Sequence, residues 1–268
     1  MNPRPIGVFD SGVGGLTVVH ELQRQLPHES LIYFGDTARV PYGNKSPETV
    51  RRYAREILRF LLERDVKLVV VACNTASAHA LQELRRISPV PVEGVVEPGA
   101  RAAVGASRAG HIGVIGTAGT MASGAYERAI RALEPAVRVT QRACPLFVPL
   151  VEEGWLDQPA TKLVAHEYLD GLRSDGIDTL VLGCTHYPLL KPLLGEVMGE
   201  GIRLIDSAEE TAAAVGRALK ASGNAAPPDE PGKTRFVVSD APGQFEKVGA
   251  AFLGDRVRDV ELVTMEKP

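Results

Sequence analysis

Two short stretches constrain this chain more than anything else in it. Leu68-Val69-Val70-Val71-Ala72-Cys73-Asn74-Thr75 and Leu180-Val181-Leu182-Gly183-Cys184-Thr185-His186 share one design: an aliphatic run without polar alternation, a small residue, a cysteine, then polar residues able to begin a helix. Runs of that kind mark parallel strands buried on both faces. Each stretch therefore delivers a thiol to the carboxyl end of a buried strand, where open α/β sheets bind their ligands. A second echo supports duplication, because Ile6-Gly7-Val8-Phe9-Asp10-Ser11-Gly12 is answered by Ile112-Gly113-Val114-Ile115-Gly116-Thr117-Ala118. The cysteines lie 111 positions apart and the two Ile-Gly-Val runs 106 apart, offsets close enough for one repeated unit with small insertions. The expected fold class is α/β, with two pseudo-symmetric domains of mostly parallel strands whose half-sites face one substrate.

A chain of 268 residues that is 44% hydrophobic can build two such domains. Glu97-Pro98-Gly99 reads as the crossing, giving a first unit of residues 1–97 that carries Cys73 and a second of 98–206 that carries Cys184. Ser207-Ala208-Glu209-Glu210 fits a capping box opening the next helix. Residues 222–233 read as a flexible surface loop. The tail 207–268 has no cysteine echo and completes an existing domain. Lys+Arg of 30 against Asp+Glu of 33 leaves a net charge of −3, so no nucleic-acid partner is expected. The amino terminus lacks an apolar signal core, and no apolar run approaches the roughly 18 residues of a membrane span. A soluble, cytoplasmic protein with no membrane partner is the expectation.

The glycine-rich turn Asp10 to Gly15 opens a helix and resembles a dinucleotide loop, but Thr17 stands where that pattern wants glycine or alanine. Asp36, after a second strand, imitates a ribose-binding acid, which leaves nucleotide binding open. Asp10 and Ser11 fit a helix cap or a site at the strand end equally well. Of the chemistries that use two cysteines, a redox dithiol would be a local CxxC, and a metal would want four ligands where Cys184-Thr185-His186 supplies two. No metal and no cofactor are expected. The remaining chemistry is proton transfer on both faces of one carbon, a thiolate removing one proton while a thiol opposite delivers another. A helix amino terminus lowers a thiol from its usual value near 8.5, so both forms can coexist near neutral pH. His186 and Glu152 are placed to support one thiol and Asp10 the other. Thr117-Ala118-Gly119-Thr120 suits a carboxylate at a helix start. Cys144, without a strand-end context, reads as structural.

The motifs FDSGVGGLTV, GDTARVPYG, ACNTASA, FVPLVE and LGCTHYPLL, in that order from Ile6 to about Asp206, closely resemble the cofactor-independent aspartate/glutamate racemase family. The resemblance implies two α/β domains, the first completed by residues 207–268, with the active site in the interdomain cleft. It implies racemisation of glutamate, with Cys73 acting on D-glutamate and Cys184 on L-glutamate, and a supply of D-glutamate for bacterial peptidoglycan. It further implies substrate contacts from Asp10, Ser11, Pro41, Tyr42, Gly43, Asn74, Thr75, Thr117, Thr120, Thr185 and His186. Glu152 matches the family acid of VPLVE. A homodimer is the assembly it leaves open.

Overall fold

The computed structural model describes residues 1–265; residues 266–268 of the expected first unit lie outside them. Ten strands run in chain order: β1 Ile6–Asp10, β2 Leu31–Gly35, β3 Leu68–Val71, β4 Val92–Gly94, β5 His111–Gly116, β6 Arg138–Ala143, β7 Thr179–Gly183, β8 Arg203–Asp206, β9 Thr234–Val238 and β10 Glu261–Leu262. Every residue of β1, β2, β3, β5 and β7 is buried, as their unbroken aliphatic runs require of a sheet covered on both faces. All pairings are parallel, in the orders β10-β9-β2-β1-β3-β4 and β6-β5-β7-β8.

The register makes the duplication explicit. In the first sheet Phe9 pairs with Phe34 and Val71; in the second Ile115 pairs with Arg142 and Leu182. The β2-β1-β3-β4 core thus maps onto β6-β5-β7-β8, and Cys73, two residues past Val71, corresponds to Cys184, two past Leu182. The same mapping makes Asp10 the counterpart of Gly116, Asp36 of Cys144, and Thr75 of His186. The tail adds β9 and β10 to the first sheet's edge beside β2.

Eleven helices complete the described residues: α1 Leu16–Gln25, α2 Pro47–Leu62, α3 Asn74–Ile87, α4 Val96–Ala106, α5 Ala118–Ser123, α6 Ala125–Leu133, α7 Phe147–Glu152, α8 Pro159–Ser174, α9 Lys191–Met198, α10 Ser207–Ala221 and α11 Pro242–Leu253. Two local expectations are corrected. The crossing comes before Glu97-Pro98-Gly99, which lies in the first turn of α4, where proline is tolerated because its missing N–H would have had no intrahelical partner. α4 packs on α6, β7 and β8, so the chain has already left the first sheet at Val95. The cap of α10 is Asp206, whose Oδ1 accepts from Ala208 N at 2.9 Å, and Ser207 lies inside the helix. α10 packs against both α1 and α4 and joins the two halves. No described helix is long and apolar enough to cross a membrane.

Candidate active site

The carboxyl ends of the two sheets face one cleft of about 360 Å³, and both Cys73 and Cys184 line it. Ser11, Pro41, Tyr42, Gly43, Asn74, Thr75, Thr117, Glu152, Thr185 and His186 line it as well. Asp10 and Thr120 stand just behind the surface, 1% and 0% exposed.

Cys73 ends the β3 segment and caps α3, its Sγ accepting from Ala76 N at 3.5 Å and lying 3.7 Å from Ser11 Oγ. The helix start does not lower this thiol, contrary to the sequence expectation. Burial, reinforced by the neighbouring Asp10 charge, outweighs the Ala76 N–H and pushes it up to about 12. Asp10 is no helix cap, because α1 begins at Leu16 without a side-chain cap. Its Oδ1 instead accepts from Gly12 N at 2.9 Å, and Oδ2 is buried without a partner among the described residues. Burial raises the Asp10 carboxyl above its ordinary value, against the pull of His186 and the turn amides.

Cys184 follows β7 and enters a single 3-10 turn, Tyr187–Leu190, rather than an α-helix. Pro188 and Pro192 explain this, since Pro192 has no N–H to donate to the Pro188 carbonyl. Cys184 Sγ lies 3.9 Å from His186 Nδ1, and His186 Nε2 lies 2.9 Å from Glu152 Oε1. Burial alone would push the imidazole down, but its hydrogen bonds to Cys184 and Glu152 more than reverse this and carry it up to about 10. His186 is thus an imidazolium at neutral pH, a cation and proton store beside the Cys184 sulfur.

The glycine-rich turn serves this second centre and leaves no room for a phosphate reading. A Cβ at Gly14 would come within 2.3 Å of Thr185 Oγ1 and 2.4 Å of His186 Nδ1. Thr17 Oγ1 donates to Gly14 O at 3.0 Å and Thr185 O at 3.1 Å. Asp36 likewise has no free carboxylate for a ribose: Arg39, Tyr42 and Ser239 all donate to it. It braces Tyr42, and with it the Pro41-Tyr42-Gly43 wall of the cleft. Across the cleft, Thr75 Oγ1 lies 2.9 Å from Thr117 Oγ1 and 3.1 Å from Thr120 Oγ1, a hydroxyl cluster contributed by both halves.

A family model described as Asp/Glu/Hydantoin racemase matches residues 6–215. The chain belongs to that family. It is 57% identical over 263 residues to a glutamate racemase of Geobacter metallireducens, covering 98% of this chain and 97% of that protein. It superposes with a TM-score of 0.90 on the glutamate racemase of Thermus thermophilus solved with beta-chloro-D-alanine, at 50% identity and 99% of both chains. The glutamate racemase of Francisella tularensis, solved with D-glutamate, matches at 0.93 with 37% identity, covering 99% of both chains. The chain is an amino-acid racemase.

Cys144 needs a correction of context. It directly follows β6, so it does occupy a strand end. It is nonetheless absent from the cleft lining: it is fully buried, with its carbonyl accepting from Tyr187 Oη at 2.8 Å. Sequence reasoning missed the apolar part of the wall, Val40, Pro145, Val148 and Pro149, together with Asn44. The signal for Val148 and Pro149 was present, since they lie in α7 one turn before Glu152.

Proposed function

We propose that this chain interconverts L- and D-glutamate by proton transfer between two cysteines, without a cofactor, and that it supplies D-glutamate for peptidoglycan. The observation that carries the reading is the equivalence of Cys73 and Cys184 by strand register, with both thiols lining one cleft. A racemase must treat mirror-image substrates alike, and two related half-sites meet that need with bases on opposite faces of one α-carbon. The named relatives, and the D-glutamate held by the Francisella tularensis protein, support glutamate as substrate.

With L-glutamate bound, Cys184 as thiolate removes the α-proton on its side. The Cys73 thiol, held protonated by burial, delivers a proton to the opposite face. The reverse reaction exchanges these roles: Cys73 removes and Cys184 returns the proton, with His186 holding or supplying it at Nδ1. Asp10 Oδ2, buried and unpartnered, accepts from the substrate ammonium or holds the proton exchanged at Cys73. Ser11, Asn74, Thr75, Thr117 and Thr185 supply polar contacts for the two carboxylates, and Tyr42 and Gly43 shape the wall. The test is incubation of purified, chelator-treated protein with either enantiomer in deuterated water, followed by circular dichroism and mass spectrometry. Loss of optical activity with deuterium entering mainly the product enantiomer at early times is expected. Inactivity restored by an added metal, or equal early labelling of both pools, would overturn the mechanism.

A further inference from the structure

Tyr126 lies in the first turn of α6, in the second half of the molecule, and is fully buried. Its hydroxyl crosses to the first half and donates to Asn74 Oδ1 at 2.7 Å. Asn74 directly follows Cys73 and lines the cleft at 3% exposure. With Oδ1 taken by the phenol, the other end of the amide, Nδ2, is buried and has no partner among the described residues. Buried amide donors are rarely left unpaired, so an orphan beside a reactive cysteine points to a ligand acceptor. A side-chain amide can turn over about its last bond and exchange nitrogen for oxygen with almost no change of shape. Packing therefore does not choose which end faces the cleft. The contact with Tyr126 does: the phenol O–H donates to Oδ1, which leaves Nδ2 as the end without a protein partner among the described residues. Burial raises the Tyr126 phenol above its ordinary value, against a hydrogen bond with the Ser207 side chain, so the hydroxyl keeps the proton it donates. The ring is itself fixed: a Cβ at Gly183, the residue before Cys184, would come 3.0 Å from Tyr126 Cε2.

We propose that Tyr126 is a positioning residue for racemisation: its hydroxyl locks the Asn74 amide with Nδ2 turned to the cleft, where it donates to a carboxylate of the amino-acid substrate. The donor sits on one half of the molecule and its lock on the other, so it is set only when the halves are assembled. The identity of that substrate rests on the glutamate reading above.

The test is a double-mutant cycle on steady-state racemisation. Tyr126→Phe keeps the ring and should raise KM for both enantiomers by about five- to tenfold, the scale of one hydrogen bond, with kcat within about twofold. In an Asn74→Ala background the same substitution should change KM by less than about twofold, because nothing remains to be oriented. An unchanged KM in Tyr126→Phe, or an equal loss in both backgrounds, overturns the proposal. Should Tyr126→Phe fail to fold, the wild type decides. With Asn2, Asn44, Asn74 and Asn224 isotopically labelled, the side-chain amide resonances of Asn74 should shift on adding D-glutamate. An unmoved Asn74 pair in protein that racemises glutamate overturns the proposal, whereas wild type that racemises no glutamate overturns the substrate reading instead.

Discussion

The two halves carry equivalent thiols in unlike surroundings. Beside Cys73 stands Asp10, whose counterpart in the second half is Gly116; beside Cys184 stands His186, whose counterpart in the first is Thr75. One centre is thus a thiol that burial, reinforced by a neighbouring carboxyl, pushes up; the other is flanked by an imidazolium tied to Glu152. Duplication supplies matched positions, and divergence of one neighbour in each half gives the two thiols different electrostatic surroundings. The chemistry permits this asymmetry only within limits. Mirror-image substrates have the same free energy in water, so kcat/KM must be equal in both directions at every pH. Any difference between the halves must appear in kcat and KM separately.

The largest effect expected is loss of either thiol. Cys73→Ala and Cys184→Ala should each lower racemisation in both directions by about 10² to 10⁴ or more, the scale of general acid–base catalysis. Near-wild-type rates from either variant, followed by circular dichroism, would break the equivalence of the two centres and with it the two-thiol mechanism.

Gly14→Ala probes how closely the halves must meet. The added methyl would press on Thr185 and His186 at 2.3 and 2.4 Å, so the Cys184 centre must shift while Cys73 is untouched. A displacement near 1 Å can cost about 10² in rate. Overpacking should also lower stability by about 1–3 kcal/mol. Unchanged kcat/KM would mean that the glycine turn does not set the position of His186.

Much of this asymmetry is legible in the sequence. The cysteines, Asp10, His186 and Glu152 sit in local motifs, and the strand signal is strong because both faces of the sheets are buried. What sequence left out is long-range. The Gly14 contact with Thr185 and His186, the bracing of Tyr42 by Asp36, and the Tyr126 contact with Asn74 join residues far apart in the chain, and no local pattern encodes them. Cys73 is not lowered by its helix terminus for a related reason: burial is a property of the assembled fold and outweighs one amide.

Glu152→Gln sharpens the electrostatic difference. Glu152 is one of the groups that carry His186 up to about 10, so the variant should bring the imidazole down and move the alkaline limb of kcat/KM to lower pH. At neutral pH the rate should fall by about tenfold, the scale of a hydrogen bond to a charged group. The sign for stability follows. A folded-state value above the unfolded one, about 6.5, stabilises fully below the unfolded value and loses that contribution as pH rises through the folded value. The contribution of His186 is therefore lost between those values, up to about 10, and the variant should lose less on the same titration. An alkaline limb that does not move would detach Glu152 from the Cys184 centre.

The smallest effect is expected at the third cysteine, and it tests whether strand-end position alone makes a thiol reactive. Cys144 follows β6 as Asp36 follows β2, and the backbone N–H of each donates to the end of the central strand, to Gly116 O at 2.8 Å and Asp10 O at 3.0 Å. Both positions lie behind the cleft, Asp36 bracing Tyr42 and Cys144 packed in the core. Among the described residues the Cys144 sulfur has one weak polar contact, Arg142 O at 3.7 Å, and burial pushes the thiol up to about 12, the same direction as Cys73. A raised value therefore does not distinguish the two cysteines; facing the cleft does. Cys144→Ala should leave kcat and KM within about twofold while costing about 1 kcal/mol for a small cavity, read from denaturant unfolding. A loss of activity comparable to that of Cys73→Ala, with the fold intact, would mean that a third sulfur takes part and that pairing by register is not what selects the reactive thiols.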